Sequence, residues 1–78
     1  MSSFAAIINA PEYPPRIRHQ AIFECFDGLA AGEKMLLVND HEPRPLYYQF
    51  QAERPGDFVW EYVEEGPETY RVAITKLN

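Results

Sequence analysis

The densest group of chemically active side chains lies at residues 39–45, where the sequence reads Asn-Asp-His-Glu-Pro-Arg-Pro. An apolar run precedes this segment and an amphipathic stretch follows it, so it is predicted to join a strand to a helix. At such a junction the first backbone N–H groups of the helix are unpaired, and together with the helix dipole they attract anions. Imidazole and carboxylate groups can also move protons or hold a metal ion. The segment is therefore the first candidate site.

Hydrophobic spacing predicts the elements that position this segment. Apolar residues recur every three or four positions along the first amphipathic stretch, at Ile22, Cys25, Phe26 and Leu29, whereas apolar residues alternate in the last third of the chain. Prolines and glycines mark the boundaries. The predicted elements, in chain order, are a strand at 4–8, a helix at 15–29, a strand at 34–38, a helix at 45–52 and strands at 58–63 and 70–75.

This order predicts an α+β two-layer sandwich with a βαβαββ arrangement in one domain, residues 1–78. Right-handed crossovers place both helices on one face of a four-stranded mixed sheet, with the uninterrupted apolar strand at 34–38 in a central position. The last two strands pair as an antiparallel hairpin because their connection is short. The other face of the sheet is then left open to solvent or to a partner.

Composition excludes several classes of protein. A net charge of −5 repels phosphate backbones, so no nucleic-acid binding is expected. The single cysteine, Cys25, rules out an internal disulfide or a multi-cysteine zinc site and fits a reducing compartment. The first nine residues have neither a basic region nor a long apolar run, so no membrane association and a cytoplasmic location are expected.

The predicted topology brings residues from distant parts of the chain to one edge of the sheet. Arg18 and His19 near the start of the first helix are expected to approach Asp40, His41 and Arg44 near the start of the second. Cations at a helix start are disfavoured by about 0.3–1 kcal/mol each, because the dipole is positive there. Either native carboxylates or an external anion should offset this cost, and these five residues form the predicted ligand-binding site.

Other interpretations of the same residues remain open. Asp40 is a preferred type of helix cap and an arginine could pair with it, while the histidines could be ordinary hydrogen-bonded surface residues. His19, His41 and either Asp40 or Glu24 would also provide a ligand set for a divalent metal ion, although their spacing matches no metal motif.

Catalysis is not favoured by the sequence, and no catalytic residue is predicted. Adjacent residues such as Asp40 and His41 seldom orient one another for acid–base work, and no serine, threonine or cysteine nucleophile lies beside them. Cys25 falls on the apolar stripe of the first helix, which indicates a buried structural residue rather than a reactive thiol.

Several separated motifs resemble the DUF2249 family of bacterial domains, and the resemblance spans nearly the whole chain. It implies a fold similar to the TusA (SirA-like) sulfur carriers, and it implies hemerythrin-like or sulfur-handling proteins as partners, since family members also occur joined to hemerythrin-like domains. The motifs are Arg18-His19 with Ile22-Phe23, the segment 39–46, Trp60-Glu61-Tyr62 and Gly66-Pro67-Glu68.

The sulfur carriers use a Cys-Pro-x-Pro motif at the start of their first helix. This chain has Glu12-Tyr13-Pro14-Pro15 there, so the prolines match and the cysteine is missing, and Cys25 lies too far along the helix to replace it. The resemblance therefore implies a fold without a sulfur-transfer activity. Our leading prediction is a non-enzymatic module that binds a small anion, a metal ion or a partner protein. The alternatives are a sulfur-relay protein or enzyme that uses another group, and an interaction domain that uses the open sheet face.

Overall fold

The computed structural model describes residues 3–78 and contains the predicted sheet with two helices. A short 3₁₀ turn, Ala10–Glu12, follows the first strand. The order confirms the predicted βαβαββ arrangement and the α+β sandwich. The elements are β1 (Ala6–Asn9), α1 (Pro15–Asp27), β2 (Lys34–Asn39), α2 (Arg44–Glu53), β3 (Phe58–Glu65) and β4 (Tyr70–Lys76).

The strands are arranged in the order β1-β2-β4-β3. β1 and β2 are parallel, with Asn9 opposite Val38, and the other two pairs are antiparallel. β2 is therefore central, as predicted. Because β1 and β2 run in the same direction, they end at the same edge of the sheet, and the helix that follows each of them begins there. Neither helix within residues 3–78 is long and apolar enough to cross a membrane.

The hydrophobic core lies between the helices and one face of the sheet. Phe50 of α2 is at its centre, because its ring stacks on Phe23 at 4.3 Å between centroids and meets the edge of Phe26 at 5.2 Å. On the other face of the sheet no helix covers the described strands, and Ile7, Val59 and Val63 are exposed. The predicted open face is therefore present.

Every predicted element differs from the structure by one or two residues at one or both of its ends, and two of these differences have a clear cause. The first strand starts at Ala6 instead of residue 4 and includes Asn9, because only the residues from Ala6 to Asn9 pair with β2. The first helix ends at Asp27 instead of Leu29, since the ammonium group of Lys76 donates to the carbonyl oxygens of Asp27 and Leu29, each at 2.9 Å. These contacts satisfy carbonyl groups that another helical turn would have used.

An ion pair joins the ends of the two helices and gives a first testable prediction. Arg54 donates two hydrogen bonds to the Asp27 carboxylate, at 2.9 and 2.7 Å. These hydrogen bonds are the largest cause of the lowered pKa of Asp27. Asp27→Asn should lower the free energy of unfolding by about 0.5–1 kcal/mol at neutral pH, since the pair is partly exposed. Chemical denaturation measures this difference.

The pH dependence of that difference has a definite sign. The pKa of Asp27 is lower in the folded state, so the carboxylate stabilises the fold above its unfolded pKa of about 4, and this contribution is lost as the pH falls through the folded value. The wild type and Asp27→Asn should therefore converge in strong acid, below the lowered folded-state pKa of Asp27. Glu53→Gln is the control, because Glu53 lies 4.0 Å from Arg54 and should matter less. A difference between wild type and Asp27→Asn that persists in acid would contradict this interpretation.

Candidate functional site

A small cleft lies between α1 and the junction that joins β2 to α2. Its volume is about 60 Å³, and it is lined by Arg18, His19 and Ile22 from α1, by Asn39 and His41 from the junction, and by Pro43, Pro45 and Leu46 around the start of α2. His19 and His41 thus share one cleft, although 21 positions separate them in the chain. The shared cleft follows from the parallel pairing of β1 with β2.

Arg18 contributes a positive charge to the α1 side of the cleft. Its Nε and Nη2 atoms donate to the carbonyl oxygen of Tyr13, at 3.3 and 3.0 Å, which fixes the half-buried guanidinium group. Within residues 3–78 no carboxylate lies within 4.0 Å of this group. Arg18 therefore has no direct ion-pair partner among these residues and keeps free donors at the cleft.

His19 is held by a hydrogen bond from α1 to α2. Its Nδ1 atom lies 2.7 Å from Oε1 of Gln49, and the amide orientation of Gln49 is fixed because its Nε2 donates to Glu53 at 2.9 Å. An amide oxygen only accepts, so Nδ1 of His19 carries the proton and donates. The other ring nitrogen, Nε2, has no protein partner in the described part of the chain and is available to a ligand once protonated.

His41 is oriented by its neighbour Asp40. Nδ1 of His41 lies 2.8 Å from Oδ1 of Asp40 and donates to it. This hydrogen bond is the largest cause of a lowered pKa of Asp40, and the positive charge of Arg18 adds to the effect. The interpretation of Asp40 as the cap of the second helix is wrong, because Pro43 occupies the cap position and no side chain caps α2.

Asn39 is a site residue that the sequence analysis did not single out. Its side chain is only 7% exposed and lines the cleft, and its Oδ1 accepts a hydrogen bond from the backbone N–H of Asp40 at 2.9 Å. Its Nδ2 amino group has no acceptor among residues 3–78. The sequence does indicate that the Asn39 side chain points inward. Asn39 continues the alternation of the inward-facing residues Met35 and Leu37 in β2.

The start of α2 adds backbone donors to the same cleft. The first turn contains no acidic residue, and Pro45 has no N–H group of its own. The first intrahelical bond runs from the N–H of Tyr47 to the carbonyl of Pro43 at 3.2 Å. Among residues 3–78, the preceding N–H groups at the start of α2 therefore have no capping side chain, and the positive end of the helix dipole lies beside the cleft.

Arg44, the fifth predicted ligand residue, does not line the cleft. Its Nη2 atom lies 3.8 Å from Glu42, and its side chain borders a separate hollow with Tyr47, Trp60 and Tyr62. Hydrogen bonding to Tyr48 is the first cause of its raised pKa. Helix geometry explains the separation, because residues 44 and 46 point in different directions from α2.

Comparison with known proteins assigns the chain to a family. The model of the DUF2249 family, described as an uncharacterized conserved protein, matches residues 7–76. The chain belongs to the DUF2249 family. The match covers both helices, all of the cleft residues and every strand except the first residue of β1, Ala6. No curated protein and no solved structure matches the chain.

The predicted metal set is not supported in this DUF2249 chain. Within residues 3–78 no group of three or more histidine, cysteine, aspartate or glutamate side chains is placed to hold a metal ion. His19, Asp40 and His41 line or border the cleft without forming such a group. The cleft presents positive charges and N–H donors, which favour a negatively charged ligand.

Cys25 lies outside the cleft of this DUF2249 chain. Its side chain is half-buried and packs against the hydrophobic core, as the apolar stripe of the helix indicated. Burial raises the pKa of the thiol, so the nucleophilic thiolate is disfavoured. The predicted structural role of Cys25 agrees with this environment.

Proposed function

We propose that this chain is a small non-enzymatic module that binds a tetrahedral oxyanion, such as sulfate or phosphate, in the cleft. One observation carries the proposal: the Arg18 guanidinium, which has no direct ion-pair partner among the described residues, and the Nδ2 donor of Asn39 lie in the same cleft. His19 and His41 line the same cleft. A charged donor and a neutral donor that converge on one small cleft suit a ligand rich in hydrogen-bond acceptors.

The donors around the cleft suit an acceptor-rich ligand. Arg18 supplies a fixed positive charge, the Nδ2 group of Asn39 supplies a neutral donor, and the start of α2 supplies backbone N–H groups. Each histidine donates through Nδ1 to a protein acceptor, which leaves its Nε2 atom free to contact a ligand.

The size of the cleft limits the ligand. A volume of about 60 Å³ is small beside the roughly 300–1,000 Å³ of pockets that enclose drug-sized ligands. A small oxyanion suits such a space, whereas a nucleotide would have to extend far outside it. We therefore propose a free inorganic anion or the terminal group of a larger molecule as the bound species.

The broader setting is proposed from the family resemblance. We place the chain in the bacterial cytoplasm, with a TusA-like fold and a hemerythrin-like or sulfur-handling partner protein. Sulfur transfer of the TusA type is not proposed, because Tyr13-Pro14-Pro15 lacks the cysteine of that motif and Cys25 lies within the packed face of α1.

Asp40→Asn distinguishes an anion site from a metal site. Asp40 places a negative charge beside the cleft and holds His41 by a hydrogen bond. Removing this charge should tighten sulfate binding by about threefold, since a like charge no longer opposes the anion. A metal site would lose a ligand and bind Zn²⁺ more weakly.

Isothermal titration calorimetry with sulfate and with Zn²⁺ measures both effects. Asp57→Asn is the control, because it removes the same charge at a position outside the cleft. Weaker sulfate binding by Asp40→Asn, or Zn²⁺ binding that depends on Asp40, would contradict the proposal.

A further inference from the structure

A second concave surface lies between α2 and the outer strand β3. It consists of two open hollows, of about 450 and 260 Å³, and Tyr47 and Trp60 line both of them. We call this surface the aromatic groove. Its walls are Arg44, Tyr47 and Gln51 from α2 and Phe58, Trp60 and Tyr62 from β3. None of these residues lines the cleft between α1 and the β2–α2 junction, which we call the anion cleft.

The aromatic groove runs beside a free strand edge. β3 is the last strand of the sheet and pairs only with β4 within residues 3–78. Backbone N–H and C=O groups on its outer edge are therefore available to an added strand. Residues Phe58, Trp60 and Tyr62 alternate along β3 and face α2, so an added strand would direct every second side chain into the groove.

Trp60 provides a specific polar feature in this surface. Its Nε1–H group is buried, lacks a full hydrogen bond among the described residues and lies close to the Tyr62 hydroxyl, where it opposes the rise that burial causes in the pKa of Tyr62. Tyr62, the next aromatic residue on the same face, donates its own hydroxyl to Glu42. The Trp60 side chain lines both hollows, so a strand bound in the groove would contact it.

The charge of β3 indicates what kind of strand can bind. β3 contains three acidic residues and no basic one, and Glu64 is paired with Arg71 of β4. Glu61 and Glu65 have no ion pair among residues 3–78. A second copy of this chain would place the same acids against them, which is unfavourable, whereas a basic segment is complementary.

We propose that an extended basic segment of a partner protein binds along the edge of β3 as a fifth strand. Its apolar side chains enter the aromatic groove, and a lysine or arginine on the other face lies beside Glu61. This binding mode uses neither the anion cleft nor the centre of the open sheet face.

The single tryptophan makes the proposal testable with the intact chain, because its fluorescence reports on the groove directly. The probe is a blocked peptide of about seven residues, the length of an ordinary strand, in which lysine alternates with valine and phenylalanine. It should shift the Trp60 emission, and amide hydrogen exchange should slow along β3. A peptide of the same composition in a non-alternating order should bind more weakly.

Charge variants complete the test. Glu61→Lys should weaken binding of the lysine peptide by about fivefold, whereas Glu68→Lys, with the same charge change in the exposed turn before β4, should have a smaller effect. Four results would each overturn the proposal. These are an unchanged emission, equal binding by Glu61→Lys, slowed exchange confined to β1 and β2, and dimerisation of the chain along β3 in place of peptide binding.

Discussion

Phe50→Ala should lower the free energy of unfolding by about 3–5 kcal/mol, the usual cost of removing a buried aromatic ring. Phe50 has no exposed surface, and its ring contacts those of Phe23, Phe26, Phe58 and Trp60 at centroid distances of 4.3–5.8 Å. The ring therefore joins both helices to β3. A cavity at this position loosens all three elements together.

The effect is large because the domain is small. At roughly 0.05–0.15 kcal/mol per residue, a chain of 78 residues has a total stability of about 4–12 kcal/mol. Thermal unfolding monitored by circular dichroism should show a midpoint lowered by roughly 15–30 °C. Tyr48→Ala is the matched control, because it removes an aromatic ring from the exposed side of the same helix and should cost about 0.5 kcal/mol. Equal effects of the two variants would contradict the placement of the core.

Arg18→Gln should weaken sulfate binding by at least about tenfold, because a charged donor contributes about 1.5–3 kcal/mol to such a contact. Arg18 lines the cleft and has no carboxylate partner, so its charge is directed to the ligand. Arg16→Gln removes the same charge from an exposed position of α1 that does not line the cleft. This control should change the affinity by less than about twofold.

Arg18 also donates to the carbonyl of Tyr13, so a folding defect must be separated from a binding defect. Arg18→Lys keeps the charge and should retain part of the affinity, whereas Arg18→Gln should not. Unfolding midpoints of all three variants show whether the fold is intact. Similar losses in Arg16→Gln and Arg18→Gln would indicate a general charge effect and would contradict a site at the cleft.

Much of the fold could be predicted from the sequence because the relevant signals are local. The alternation of Phe58, Trp60 and Tyr62 and the helical spacing of Ile22 and Phe26 each specify a period, and right-handed crossovers then leave little choice of topology. The convergence of His19 and His41 followed from that topology alone. The boundary error at Leu29 arose from Lys76, a contact 47 positions away that no local pattern reveals.

The candidate site was predicted less completely for a related reason. Arg44 was expected at the cleft because it lies near the start of the second helix, but the direction of a side chain depends on the helix phase, which a boundary shift of one residue changes. Asn39 was overlooked as a donor because its burial depends on packing against α1 and α2. Sequence proximity located a segment that lines the cleft, and only the packed structure showed which of its side chains do so.

The most direct test of the anion site is a nuclear magnetic resonance titration with sulfate. We predict that the side-chain amide signal of Asn39 and the ring signals of His19 and His41 move together along one saturation curve. Signals at these three residues that stay fixed while sulfate is added, or that move without saturating, would contradict it.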